Sequence, residues 1–572
     1  MATRTETSTI DIDIAEVGEL LARIKPQIAD DDYAHVEGLA RTVVELQKQI
    51  RQKGATIVGL RRLLGWSSSE KTADVLGDAT AASSGKDESS PPRSDGASHD
   101  APDVRDDADA QHGPDGAHEH GGGAQARRKG HGRIPARDYQ DARHVAVGHE
   151  HLRVGDACPQ CARGKLYRLS EPATLVRIVG QAPLVALCWD CERLRCGGCG
   201  HVFTARAPQE AQGPKYSSSA ASMMALLRYG AGMPLHRLER LERNLGTPLP
   251  ASTQWEIVRD RVDAVVPVYD ELCRRAAEGR VLHNDDTHAR ILELMGKRRA
   301  DLEAAGKLDD PERTGLFTTG VVATTSAGPI ALFFTGRKHA GENLHKLLGD
   351  RKDGLAPPIQ MCDGLGRNVP KGREIIESNC LAHGRRHIVD EVGNFPAECR
   401  HVLEELGKVF KNEATCREQG LSGDERLALH QKESAPLMAE LEKWMKAELE
   451  ERRVEPNSGL GQAFDYLLKR WNKLTLFLRM PDAPLENNIC ERALKMAIRH
   501  RNNSLFYRSA HGAHVGDIYM ALIYTADLHA ENAFEYLTAL FDNERDVAAD
   551  PAAWLPWTYR ATLAARGERP AA

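Results

Sequence analysis

Between Arg280 and Gly364 the chain reads as short apolar strands that end in acids, and this stretch limits the fold more than any other. Arg280-Val281-Leu282-His283-Asn284-Asp285-Asp286-Thr287 carries two acids at the end of an apolar run. Thr314 to Thr325 and Pro329 to Thr335 are rich in Val, Phe, Thr and Ile and meet around Ala327-Gly328, the pattern of a hairpin. Leu344, Leu347 and Leu348 share a face, which predicts a helix over 341–348. Ile359-Gln360-Met361-Cys362-Asp363-Gly364 is a further strand closed by an acid and a glycine. Strand, hairpin, helix, strand predicts a mixed sheet with carboxylates gathered at strand ends, where open α/β sheets place their ligands.

A third acid lies far along the chain. Leu485 to Arg508 has the period of an amphipathic helix, with Ile489, Ala493, Leu494 and Ala497 on one side. Asn487-Asn488 are good cap residues for its first turn. Glu491 stands one turn in, beside Arg492 and ahead of Lys495, Arg499, Arg501 and Arg508. One acid in a basic helix makes sense if the acid holds a metal and the cations hold an anionic polymer. Acids at two strand ends and on a separate helix are the parts needed to hold two Mg²⁺ ions for phosphoryl transfer. Glu486, just before the cap, is the rival third acid, and Asp285 and its neighbour Asp286 point to opposite faces of their strand.

The remainder divides into segments. A chain of 572 residues is too long for one core. Val36, Leu39, Val43, Leu46, Ile50, Ile57, Leu60 and Leu64 step by threes and fours, which predicts a coiled coil within 1–66 that pairs protomers. Residues 67–126 lack periodicity and are expected to form a disordered linker. Lys86 to His120 holds ten acids against three bases, so the net charge of −6 belongs mostly to this tract and the rest carries about +1. Charge alone therefore neither supports nor excludes a nucleic-acid partner. Arg127, Arg128, Lys129 and Arg133 follow, a glycine-spaced basic arm of the kind that lies in a minor groove.

Cys158-x-x-Cys161 and Cys196-x-x-Cys199 supply four thiolates for one structural Zn²⁺, a zinc ribbon within 127–210. Cys188-x-x-Cys191 is a third pair without an assigned role. Residues 211–279 read as helices. Met233 to Leu238, a turn at 246–250 and Ser252-Thr253-Gln254-Trp255 fit a helix-turn-helix whose second helix enters a major groove. Cys380-x-x-His383 with Arg385 and Arg386 suggests packing near the acids, with the two arginines facing solvent or phosphate. Residues 395–480 read as a helical insertion in a domain spanning 280–510, and 511–572 as a C-terminal helical region. The first residues lack an apolar signal core, so a cytoplasmic location is expected.

Several of these pieces together resemble the transposases of the insertion-sequence 66 family, over nearly the whole chain. They are Leu63-Leu64-Gly65-Trp66, Gly130-His131-Gly132-Arg133, the cysteine knuckles and Met233-Pro234-Leu235. More specific are His283-x-Asp285-Asp286-Thr287, Asp363-Gly364, Cys380-x-x-His383-x-Arg385-Arg386 and Asn487-Asn488-x-x-Glu491-Arg492-Ala493-Leu494. The resemblance implies a ribonuclease-H-like DDE domain with Asp285, Asp363 and Glu491 as its three catalytic acids, and Asp286 as the fallback for the first. It also implies cleavage and strand transfer at terminal inverted repeats, with Mn²⁺ able to replace Mg²⁺, and small accessory proteins of the same element. Arg492, Lys495, Arg499 and Arg501 would then lie along DNA. The chain departs from the family's pattern at Leu365, where an aromatic is usual, and at Asn502, where a lysine is usual. The other class left open is a transposase-derived DNA-binding protein without catalysis.

Overall fold

The computed structural model describes residues 21–27, 33, 146–149, 151–161, 163–169, 182–199, 201–308 and 310–567. The expected coiled coil, acidic linker and arm bearing Arg127, Arg128, Lys129 and Arg133 lie outside those residues. The chain divides into two compact units, one of 1–85 with 182–571, the other of 86–181.

In the smaller unit, Ala157 pairs with Lys165, and the Cys158 amide donates to the Gly164 carbonyl at 2.8 Å. This closes the turn that carries Cys158 and Cys161. In the larger unit, β1 (Arg193–Arg195) and β2 (Val202–Thr204) form an antiparallel ribbon. At its tip the Cys199 amide donates to Cys196 Sγ at 3.5 Å. Each pair is thus a tight knuckle, and the two fall in different units.

Four helices follow: α1 (Ser218–Ala225), α2 (Leu235–Asn244), α3 (Ala251–Asp260) and α4 (Val262–Ala277). Ser252 and Thr253 lie inside α3 and do not cap it. Helix α3 starts at Ala251 behind Pro250, and Glu239 of α2 accepts the Ala251 amide instead. Helix α3 shows solvent Ser252, Glu256 and Asp260. Its exposed line thus carries two acids and no base.

The sheet comprises β3 (Val281–His288), β4 (Phe317–Thr325), β5 (Gly328–Gly336), β6 (Ile359–Cys362) and β7 (Ile376–Asn379), with α5 (Gly296–Ala304) between β3 and β4 and α6 (Ala340–Leu347) after β5. The strand order is β5-β4-β3-β6-β7. Strand β4 runs antiparallel to both β3 and β5, while β6 and β7 run parallel to β3. Gly328, at φ +117°, lets the β4–β5 hairpin turn where the sequence placed it.

After β7 come α7 (Leu381–Asp390) and the insertion helices α8 (Pro396–Glu418), α9 (Gly423–Leu429), α10 (Ala435–Glu450) and α11 (Gly459–Lys469). Helix α12 (Asn488–Ser504) is the basic helix, followed by α13 (Ala510–Leu528) and α14 (Ala533–Asp542). Apolar residues of α1, α4, α12, α13 and α14 form one buried cluster with β4 and β5. Segments 211–279 and 511–572 therefore share the core of the sheet. A second cluster joins Val281 and Ile359 to α7 and the insertion. There Glu413 accepts hydrogen bonds from Arg426 and His430, and Arg426 also holds the Ala483 carbonyl, fastening the insertion to the lead into α12. No described helix is long and apolar enough to cross a membrane.

Candidate active site

Asp285 and Asp286 are neighbours on one strand, so their side chains leave by opposite faces. Asp286 is consumed by structure. Its carboxylate accepts from Thr319 Oγ1 at 2.6 Å and from the Ala340 amide at 3.0 Å, and faces His339 Nδ1 at 3.2 Å, with 2% of its side chain exposed. Asp285 turns to the other face, beneath α12. Burial there, with Asp363, Asp286 and Glu491 nearby, pushes its carboxyl up to about 7 from the ordinary 3.8. Asn368 Nδ2 sits between the two strand-end acids, 2.9 Å from Asp363 Oδ1 and 3.5 Å from Asp285 Oδ1.

Asn368 is held by buried amides that sequence reasoning passed over. Asn284 and Gln360 each donate to its carbonyl at 2.7 Å, and Gln360 also donates to Asn284 Oδ1. The signal was present: a polar amide inside each of two apolar strand runs needs a buried partner. Tyr466, from the insertion, donates to the Asp363 carbonyl at 2.7 Å. Gly364 takes φ +84°, and a side chain there would press on Arg470 Nε at 3.0 Å. The glycine after Asp363 is thus required by the turn.

Helix α12 corrects the expected cap. Asn487 is fully buried and makes no cap bond. Its amide nitrogen donates to the Asn284 carbonyl at 3.2 Å, and its oxygen faces His283 Nδ1 at 3.1 Å. Its backbone N–H goes to Cys380 Sγ at 3.2 Å. The side chain therefore ties the start of α12 to β3, one turn before Glu491. Burial holds His283 down at about 4, so it stays neutral at physiological pH. Asn487→Ala is expected to leave a ring nitrogen and a carbonyl buried without partners, costing about 2–4 kcal/mol. Urea unfolding checks this, and a loss below about 0.5 kcal/mol would show that the tie is dispensable.

Glu491 lies between His383 and Arg386. His383 Nδ1 is 3.6 Å from its Oε1, and Arg386 Nη2 is 4.0 Å from its Oε2. Both His383 Nδ1 and Glu491 Oε1 are buried without a hydrogen-bond partner. Ligand-type atoms of Cys380, His383 and Glu491 all lie within 4.8 Å of one another. His383, first read as packing, thus faces the third acid directly. Arg385 is buried at 7% exposure, so the reading of it as a solvent- or phosphate-facing cation is corrected. Glu486 turns the other way, 3.6 Å from Arg417 of the insertion.

The crowded acids and the orphaned Glu491 oxygen fit a bound divalent cation. Along α12, Arg492, Lys495 and Arg499 are exposed on one face. Arg501 instead donates to Thr287 Oγ1 and the His288 carbonyl, bracing the end of β3. At the first knuckle, backbone hydrogen bonds from Arg163 and Gly164 hold the Cys161 thiol below its ordinary value, which favours the thiolate that a metal needs.

A family model described as "Transposase IS66 family" matches residues 214–515. That span contains Asp285, Asp363 and Glu491 and begins after the cysteine knuckles. The chain is 25% identical over 442 residues to the uncharacterized protein y4hP of Sinorhizobium fredii (strain NBRC 101917 / NGR234), covering 71% of this chain and 74% of the relative. It is likewise 25% identical over 421 residues to the uncharacterized protein y4jD of the same strain, covering 70% and 78%. No solved structure matches the chain significantly.

Proposed function

Because the chain belongs to the IS66 family of transposases, we propose that it is a DDE enzyme that binds the terminal inverted repeats of its element, cuts their 3′ ends and joins them to target DNA. The observation that carries this reading is Asn368 bridging Asp285 and Asp363 at two strand ends, with Glu491, from a distant helix, near enough to act on the Asp285 carboxyl. The strand order, with three antiparallel strands followed by two parallel ones, supports a ribonuclease-H-like domain.

Asp285, Asp363 and Glu491 would hold two Mg²⁺ ions, or Mn²⁺ in their place. When bound, such ions lower the pKa of an attacking water and stabilise the leaving oxygen. In the first step the water oxygen bonds to phosphorus, the bond to the 3′ oxygen breaks, and that oxygen leaves as a 3′-hydroxyl. In the second, this hydroxyl attacks a target phosphorus and displaces the target's 3′ oxygen. Asn368 orients Asp363 beside Asp285. Arg386 lies on the Glu491 side of the site, where it can meet a phosphate. Arg492, Lys495 and Arg499 follow the DNA backbone, fixing register rather than sequence. The Cys158–Cys161 and Cys196–Cys199 knuckles each offer a pair of thiolates of the kind that binds structural Zn²⁺.

The test is cleavage and joining of a labelled duplex carrying the element's ends, in Mg²⁺ and in Mn²⁺. Asp363→Ala is expected to retain end binding and lose both reactions. Unchanged cleavage in that variant would sink the mechanism. Binding by the wild-type chain with neither reaction would identify a silent DNA-binding derivative, and cleavage without joining a plain nuclease.

A further inference from the structure

The helix pair α2–α3 has two exposed faces of opposite charge, and the cationic one is on the first helix. Arg237, Arg240 and Arg243 are all exposed on α2, while Leu238 and Glu242 turn inward. Arg243 pairs with Glu239 at 2.7 Å, whereas Arg237 and Arg240 have no ion pair among the described residues. On α3 the exposed line is Ser252, Glu256 and Asp260, and Arg259 is taken by Asp260 at 2.6 Å.

The turn leading into α2 is also fastened to α12. Arg499 Nη1 donates to the Gly230 carbonyl and Asn503 Nδ2 to the Gly232 carbonyl, each at 3.1 Å. Arg228 donates to Ser504 Oγ from the same turn. A side chain at Gly232 would meet Arg499 Cγ at 3.0 Å, so the backbone approaches closely there. Helix α2 begins three residues later. Helix α12, whose cationic face starts beside Glu491, is thereby fastened to the turn from which α2 starts.

We propose that α2, not α3, carries the duplex flanking the cut, with Arg237 and Arg240 on its phosphates. This rests on the reading of the chain as a DNA-cutting transposase. At 1.5 Å per residue, the junction at Asn503 lies roughly 18 Å along α12 from Glu491. That is about 5 base pairs of duplex at 3.4 Å each, which sets the scale of the separation between the junction and the scissile phosphate.

The probe is a fluorescein-labelled duplex of mixed sequence, about three helical turns long, titrated with the full chain at several salt concentrations. Arg237→Ala/Arg240→Ala is expected to lower the slope of log affinity against log salt by about 2 and to weaken binding about tenfold or more. Arg237→Lys/Arg240→Lys is expected to restore both, which excludes misfolding as the cause, and Glu256→Ala to leave the slope unchanged. An unaltered slope in Arg237→Ala/Arg240→Ala, beside a lowered one in Arg492→Ala/Lys495→Ala, overturns the role of α2 and leaves the transposase reading intact. Absence of any salt-dependent duplex binding by the wild-type chain removes the transposase reading itself.

Discussion

Asp285→Asn is expected to abolish strand cleavage, by ~10³-fold or more, while making the metal-free protein more stable. The two effects have one cause. Burial and three neighbouring acids push the Asp285 carboxyl up to about 7, so the folded chain holds this proton more tightly than the unfolded chain does. As pH rises from about 4 the unfolded form loses the proton first, and the folded state loses relative stability until about pH 7. At about 1.4 kcal/mol per pH unit the upper bound is roughly 4 kcal/mol, and relaxation with water entry brings it to about 1–3 kcal/mol. Asparagine removes that cost and keeps the oxygen that accepts the Asp286 amide at 2.8 Å. Thermal unfolding in EDTA should therefore show no gain for Asp285→Asn near pH 4 and a full gain at pH 8. Added Mg²⁺ or Mn²⁺ should stabilise the wild type and leave the variant nearly unmoved. A variant less stable than wild type at pH 8 without metal would remove the claim that burial and the neighbouring acids destabilise the Asp285 carboxylate.

Gly320→Val is expected to abolish cleavage with the opposite effect on stability. Gly320 stands directly across from Asp285 in the β3–β4 register. A Cβ at that position would lie 2.8 Å from Leu494 Cγ, 2.9 Å from Leu494 Cδ2 and 3.4 Å from Cys490 Sγ. Helix α12 can rest on β4 only because no side chain intervenes, and the Cys490 thiol closes the contact on the Gly320 carbonyl at 3.4 Å. Valine forces the helix outward at an overpacking cost of about 1–3 kcal/mol or more, and Glu491, next to Cys490, moves with it. Gly320→Ala should be milder, since the end of Leu494 can shift, and Gly320→Ala/Leu494→Ala should recover most of the stability. Equal unfolding midpoints for wild type and Gly320→Val would show that the contact does not set the height of α12. Both variants are expected to stop cleavage, one by relieving the site and the other by dislodging it.

The two acids at strand ends were legible because a strand declares itself by local composition and its last residues mark the sheet edge. Glu491 was legible as an anomaly, an acid on an otherwise basic helix. Sequence could not divide Asp285 from Asp286, because alternation only says that they diverge. Thr319, His339 and Ala340 claim one of them, and those partners come from β4 and α6. The Asn487 cap was misread for a similar reason. A cap is a local bargain between a side chain and its own helix, and it loses when a buried carbonyl and imidazole on β3 compete for the same amide. Arg385 looked like its neighbour Arg386, yet one turns into the core and the other towards Glu491, a difference that helix phase alone does not supply without the packing partner.

The chain's own sequence thus determined which residue types the site would contain, which elements would bear them, and the family to which the chain belongs, since all three follow from local pattern and spacing. The tertiary structure decided which acid faces the centre, that Asn368 and His383 join it, that the helices flanking the sheet share its core, and that the cationic face of the helix pair is on α2. Those depend on contacts between segments far apart in sequence, where burial and electrostatic competition select among side chains that local pattern treats as equivalent.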